Sequence, residues 1–174
     1  MSDSLEQFNQ FLASENVVRH LRRFYKHMPP MDDVMVSVLK GHLLIEEQLF
    51  GLIATQAEKP QALKDSRLTF HQALCIAECL LWYKDSDWVW SCCRMLNGIR
   101  NGLSHQLEPS KIKKQITEFL DAVEKHYPPH GKKNIRGSPE KPLLMSIGMV
   151  YVYLAAYLEA CRNSKQMKEK KNIA

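Results

Sequence analysis

Arg100, Asn101 and His105 stand within six consecutive positions of the run Ile99-Arg100-Asn101-Gly102-Leu103-Ser104-His105. A guanidinium is a permanent planar cation that grips phosphate oxygens. An imidazole is the one side chain whose unperturbed pKa lets it give or take a proton near neutrality. Together they suffice for phosphodiester cleavage without a metal. A ribose 2′-hydroxyl is deprotonated and attacks the neighbouring phosphorus, while the cation stabilises the charge that develops. The same residues also read as an ordinary helix end, with His105 capping carbonyls and Arg100 paired to a carboxylate. The elements around them must decide.

At about 100° per residue, a helix through this segment gathers Trp88, Cys92, Leu96, Ile99 and Leu103 on one apolar face. Arg94, Asn97, Asn101 and His105 fall opposite, with Arg100 near the apolar edge. Positions five apart diverge by about 140° in a regular helix. Arg100 and His105 can therefore address one phosphate in only two ways. Either the helix breaks at Gly102, which glycine permits, or a second subunit supplies one of the pair. On an earlier helix Leu39, Leu43, Glu46 and Phe50 recur at four-three-four spacing, which predicts that Glu46 points into an apolar seam with His42 nearby. A carboxylate there is costly unless paired, and Arg100 or His105 is the natural cation. Glu46 then either orients those groups or forms an ion pair that ties two helices together. Glu47 leans to solvent.

Helical periodicity runs through the chain, and no period-two segment bounded by turn residues interrupts it. The pattern predicts an all-α protein, a single helical bundle of about five to six helices. The first spans roughly residues 4–27 and stops before Pro29-Pro30. The second opens at Asp32-Asp33, acidic residues suited to a helix start, and runs to about residue 57. A third covers 67–83 and a fourth 87–104, capped by Asp85-Ser86-Asp87. A fifth restarts at Pro109-Ser110 and ends near Tyr127. Residues 128–142 hold four Pro and two Gly and read as a basic loop. A last helix covers 142–165, and 166–174 read as a disordered basic tail. The 174 residues make one domain, large enough to bury a core without disulfides or metal.

Net charge is +5, unevenly placed: residues 1–108 carry 11 Lys and Arg against 13 Asp and Glu, whereas 109–174 carry 13 against 6. The positive excess thus lies in the last third, a distribution suited to a polyanion. Lys111, Lys113 and Lys114, with Lys132, Lys133 and Arg136 of the loop, are the candidate RNA-binding rim. Trp82, Tyr83, Trp88 and Trp90 offer rings for base stacking or for the core. The five cysteines lack metal-type pairing and read as buried reduced thiols of a cytoplasmic protein; no metal or cofactor is expected. The start Met-Ser-Asp-Ser-Leu-Glu is no secretory signal. The uncharged run 143–158 is sixteen residues long, short of the roughly 20 that cross a bilayer, so a buried helix and no membrane association are expected.

The Arg100-Asn101-x-x-x-His105 spacing inside an all-helical bundle of this size resembles the Arg-x(4–6)-His motif of the HEPN superfamily, where a polar residue commonly follows the Arg. The segment Gly41-His42-Leu43-Leu44-Ile45-Glu46-Glu47 likewise resembles the first long helix of such domains, with its inward acid. The likeness spans about residues 32–127, and the last helix completes a HEPN-like core of about 32–165. It implies a homodimer in which the motif forms a composite site, and a metal-independent endoribonuclease used as a toxin or against phage. In that role Arg100 would stabilise the phosphate, His105 would act as acid or base, Asn101 would position the site, and Glu46 would orient it. The products would be a 2′,3′-cyclic phosphate and a 5′-hydroxyl. An antitoxin or regulatory protein is the implied partner. Leu107 stands where the branch regulated by nucleotidyltransferase antitoxins carries a Tyr, so that mode of control is not implied. Other superfamily members, among them relatives of the mannitol operon repressor, are non-catalytic regulatory or interaction modules, and both readings stay open on the sequence.

Overall fold

The computed structural model describes residues 15–28, 33–81, 87–105, 109–126 and 140–173. It is all-α: α1 (Glu15–His27), α2 (Val34–Gln56), a short 3-10 helix (Pro60–Asp65), α3 (Phe70–Leu80), α4 (Asp87–His105), α5 (Pro109–His126) and α6 (Glu140–Ile173). Among the described residues there is no strand. Helices α2, α4, α5 and α6 form a four-helix ring around the core, each packed on the next; α3 lies across α2 and α4, and α1 across α6 and α2.

The ends of these helices follow local chemistry. The Asp33 carboxylate accepts the Val36 amide at 3.0 Å, satisfying one of the orphan donors of the first turn of α2. Helix α3 opens on a capping box: the Thr69 hydroxyl takes the Gln72 amide, and the Gln72 side chain takes the Thr69 amide at 2.9 Å. That cap moves the start of α3 past residue 67, and the preceding residues form the 3-10 helix, which periodicity did not predict. Pro109 is the first residue of α5, the position where its missing N–H costs nothing. Helix α6 continues to Ile173 through the segment expected to be a disordered tail. The basic loop expected at 128–142 falls largely outside the described residues.

Helix α6 is the central element. Leu143, Ile147, Val150, Tyr151, Val152, Leu154, Ala155 and Leu158 are all buried on it, more than one stripe, because α1, α2, α4 and α5 surround it. Its stretch Pro142–Gln166 is 25 residues long and contains an apolar window with a mean hydropathy of 1.6, half of which is buried inside the bundle. By length and composition it could cross a bilayer. The sequence argument from shortness therefore lapses, and burial among four helices is what explains its apolarity. Glycines bring α2 close to it: a Cβ on Gly41 would collide with Ile147, and one on Gly51 would lie 2.7 Å from Leu158. Polar clamps fasten α1 from outside. Arg19 and His20 hold Glu159, and Arg23 donates to Tyr151 Oη at 2.9 Å and to both Glu47 oxygens.

Two expectations need correction. Cys92 and Cys93 are buried and Cys161 half-buried, but Cys75 and Cys79 are exposed on α3, because the buried face of that helix is Phe70, Ala73, Leu74 and Ala77. The buried seam of α2 is Val38, Ile45, Leu49 and Leu52, not Leu39, Leu43 and Phe50; Leu43 is 61% exposed. A one-position rotation of the apolar register separates the two seams, and a helix so rich in apolar residues permits either.

Candidate functional site at the α2–α4 interface

Helix α4 runs unbroken through Gly102 to His105. Of the two ways for Arg100 and His105 to meet, the local break is thereby removed. Their Cα atoms sit on one helix, five positions and so about 140° apart. The His105 backbone ends α4; its side chain lies outside the described residues, as do Lys132, Lys133, Arg136, Leu107, Trp82 and Tyr83.

Arg100 is half-buried. Its Nη1 donates to Asn101 Oδ1 at 3.1 Å, and among the described residues no carboxylate lies within ion-pair distance of it. The ion pairs there join other residues, including Arg94 to Glu78 and Lys114 to Glu118. A guanidinium carries five N–H donors in a planar fork, so most of this one is uncommitted.

Across the interface stands a residue pair that the sequence had not connected. His42, only 7% exposed, places Nε2 3.1 Å from Asn97 Oδ1. Its ring stacks on Phe70 of α3, centroids 4.0 Å apart and planes 28° from parallel. Because Oδ1 can only accept, this contact is a hydrogen bond in the tautomer that carries the proton on Nε2 and leaves the lone pair on Nδ1. Burial holds His42 below its ordinary pKa; the Asn97 bond opposes this, and the nearby Arg100 charge adds to it. One turn along α2, Glu46 is half-buried at the rim of the bundle. Its carboxyl is pushed up by burial and pulled back by the charge of Arg100. Arg100 thus lies within electrostatic reach of both α2 groups. Glu46 sits at an interface edge rather than in the core, and the charge of Arg100, acting through space, only partly offsets its burial.

The signal for His42 and Asn97 lay in plain spacing. His42 is four residues before Glu46, and Asn97 four before Asn101, so each shares a helix face with a residue already singled out. What spacing does not reveal is that the two faces meet. The cluster has an apolar border: Met35, Leu39, Leu43 and Phe50 flank Glu46 on α2, with Met35 and Leu43 exposed. Beyond Phe50 an open groove of about 570 Å³, lined also by Ala54, Pro60 and Leu63, follows the end of α2 without including Arg100.

The other candidates are spread out. Lys111, Lys113 and Lys114 are exposed on the first turns of α5. Trp90 is buried, and Trp88 stacks on His126 at 5.2 Å and meets Tyr153 edge-on. Both tryptophans belong to helix packing. Cys75 Sγ lies 3.7 Å from His71 Nε2, but among the described residues no three metal-ligating side chains converge. No family model, curated protein or solved structure matches the chain.

Proposed function

We propose that this protein is a metal-independent endoribonuclease of the HEPN type, working as a homodimer. The observation that carries the reading is the uncommitted, half-buried guanidinium of Arg100 on an unbroken helix, beside Glu46 and Asn101. In this reading Arg100 grips the scissile phosphate and stabilises its developing charge. His105 of a second copy moves the proton of the 2′-hydroxyl or of the leaving oxygen. Glu46 and Asn101 hold Arg100 in place. The apolar row of exposed Met35 and Leu43 with half-buried Leu39 supports self-association next to the cluster, and Lys111, Lys113 and Lys114 supply a phosphate-tracking rim with the basic loop. A toxin or phage-defence role in the cytoplasm, with an antitoxin partner, follows from the family resemblance.

Mixing variants tests the composite site directly. Purified protein should cut RNA in EDTA and leave 2′,3′-cyclic phosphate and 5′-hydroxyl ends. Arg100→Ala and His105→Ala should each be inactive alone, yet regain activity when mixed and allowed to exchange subunits, because one site of each heterodimer is then intact. Two inactive variants that stay inactive in verified heterodimers would exclude a shared site, and full activity in either variant would exclude its residue. The second reading, a non-catalytic regulatory module, draws on the same apolar row, which serves any protein partner. Wild-type protein that associates through Leu43 but leaves RNA intact would select it.

A further inference from the structure

Resting on the reading of Arg100 as a phosphate ligand, we propose that Asn97, oriented by His42, is the second donor of the same anion seat, and that RNA phosphodiester oxygens bind between the Asn97 amide and the Arg100 guanidinium.

Asn97 and Arg100 are three residues apart on α4, so their Cβ atoms lie about 5–6 Å apart on one face. That spacing matches two donors reaching the non-bridging oxygens of one phosphate. The Asn97 side chain is half-exposed, open enough for a ligand and close enough to α2 to be held. A primary amide has a donating end and an accepting end. Turned the wrong way, it would present Oδ1 to an anion and repel it. His42 removes that ambiguity. Its Nε2 proton takes Oδ1, which leaves both Nδ2 protons without a hydrogen-bond partner among the described residues. The stack on Phe70 fixes the plane of the imidazole, so the donated bond has one direction. The groups facing His42 are Phe70 from α3, Asn97 and Arg100 from α4, and Glu46 on its own helix. Burial and the guanidinium charge favour the neutral ring, whose single N–H is the one Asn97 uses. A purely structural tie between two helices would need the bond but would have no use for an unpartnered amide beside an unpaired arginine. His42 is accordingly a positioning residue, and Asn97 a binding one.

The test uses the full chain and a short fluorescent oligoribonucleotide carrying 2′-O-methyl groups, which binds but cannot be cut by 2′-hydroxyl attack. Asn97→Ala should weaken its binding by about tenfold, the scale of one lost hydrogen bond to a charged group. Asn97→Asp should weaken it further. His42→Phe keeps the ring stack but loses the donor, and should approach the Asn97→Ala affinity; His42→Gln restores an N–H near the Nε2 position and should recover most of the binding. In the free protein, nitrogen NMR of the imidazole should report the Nε2–H tautomer. Circular dichroism shows which variants fold. Folded Asn97→Ala that binds as wild type, Gln and Phe variants that bind alike, an Nδ1–H tautomer, or no binding by the wild type would each overturn the proposal. Cleavage of natural RNA is scored separately. Graded binding without cleavage keeps the anion seat and removes the nuclease reading, whereas cleavage indifferent to Asn97 does the reverse.

Discussion

Helix α2 meets α6 and α4 with two different kinds of surface. Toward α6 it presents Gly41 and Gly51, and the side chains of Ile147 and Leu158 fill the space a Cβ would take. That contact is apolar and close. Toward α4 it presents His42 and, at the rim, Glu46, against Asn97 and the electrostatic reach of Arg100. Polar groups at a helix interface cost desolvation that apolar packing does not. A helix needing only stability would bury leucine on both sides. The contrast teaches that one face of α2 holds the bundle together while the adjoining face carries groups suited to a ligand. Substitutions on the two faces should therefore fail in different ways.

The largest difference is expected in activity. Arg100→Ala should lower RNA cleavage by about 10² to 10³, the scale of losing one transition-state cation or donor, with a thermal midpoint near wild type. On the opposite face, Gly41→Ala should reverse the pattern. Overpacking against the branched Ile147, offset in part by the better helix propensity of alanine, leaves a net loss of about 1–2 kcal/mol in denaturant melts, with cleavage per folded molecule unchanged. If Gly41→Ala damaged cleavage while folded, the division of labour along α2 would be wrong.

Smaller effects sharpen the same contrast. Charge reversal at Lys113 and Lys114 together should weaken RNA binding and flatten its logarithmic salt dependence by about 1.4, two single-strand phosphate contacts' worth. An unchanged slope would remove these lysines from the interface. The smallest effect concerns pH. Folded His42 sits below its ordinary value of 6.5, so on acidification the unfolded chain takes up a proton that the folded protein refuses. Its contribution to stability is complete above that value and is lost as pH falls toward the folded one. Glu46, raised above its ordinary 4.5, has the opposite sign: its contribution is present in acid and lost as pH rises through its folded value. His42→Phe should thus make the stability decline below pH 6.5 shallower, by at most about 1.4 kcal/mol per pH unit for one proton. A profile parallel to wild type would mean that His42 takes up its proton equally in both states.

Much of the fold was legible because helix signals are local. Asp33, Asp87 and Pro109 mark starts that the structure keeps, each set by chemistry within one turn. The Thr69–Gln72 box is equally local, and it starts α3 at Phe70, a few residues after the position that apolar periodicity alone suggests. Register on α2 was harder. With Leu, Ile, Val and Phe at most of its positions, two adjacent stripes look apolar, and only the neighbours show that Ile45 and Leu49 go in while Leu43 stays out. That rotation carried Glu46 from an expected core position to a rim.

The amino-acid order by itself determined an all-helical chain, the starts of α2, α4 and α5, the basic last third and the short run containing Arg100, since each depends on residues a turn or two apart. Only the tertiary structure decided that α4 passes straight through Gly102, that Cys75 and Cys79 face outward, and that His42 and Asn97, 55 positions apart, share a hydrogen bond. Contacts between distant segments depend on how whole helices rotate and dock. That rotation is fixed by the summed packing of every face at once, not by the residues of any one turn.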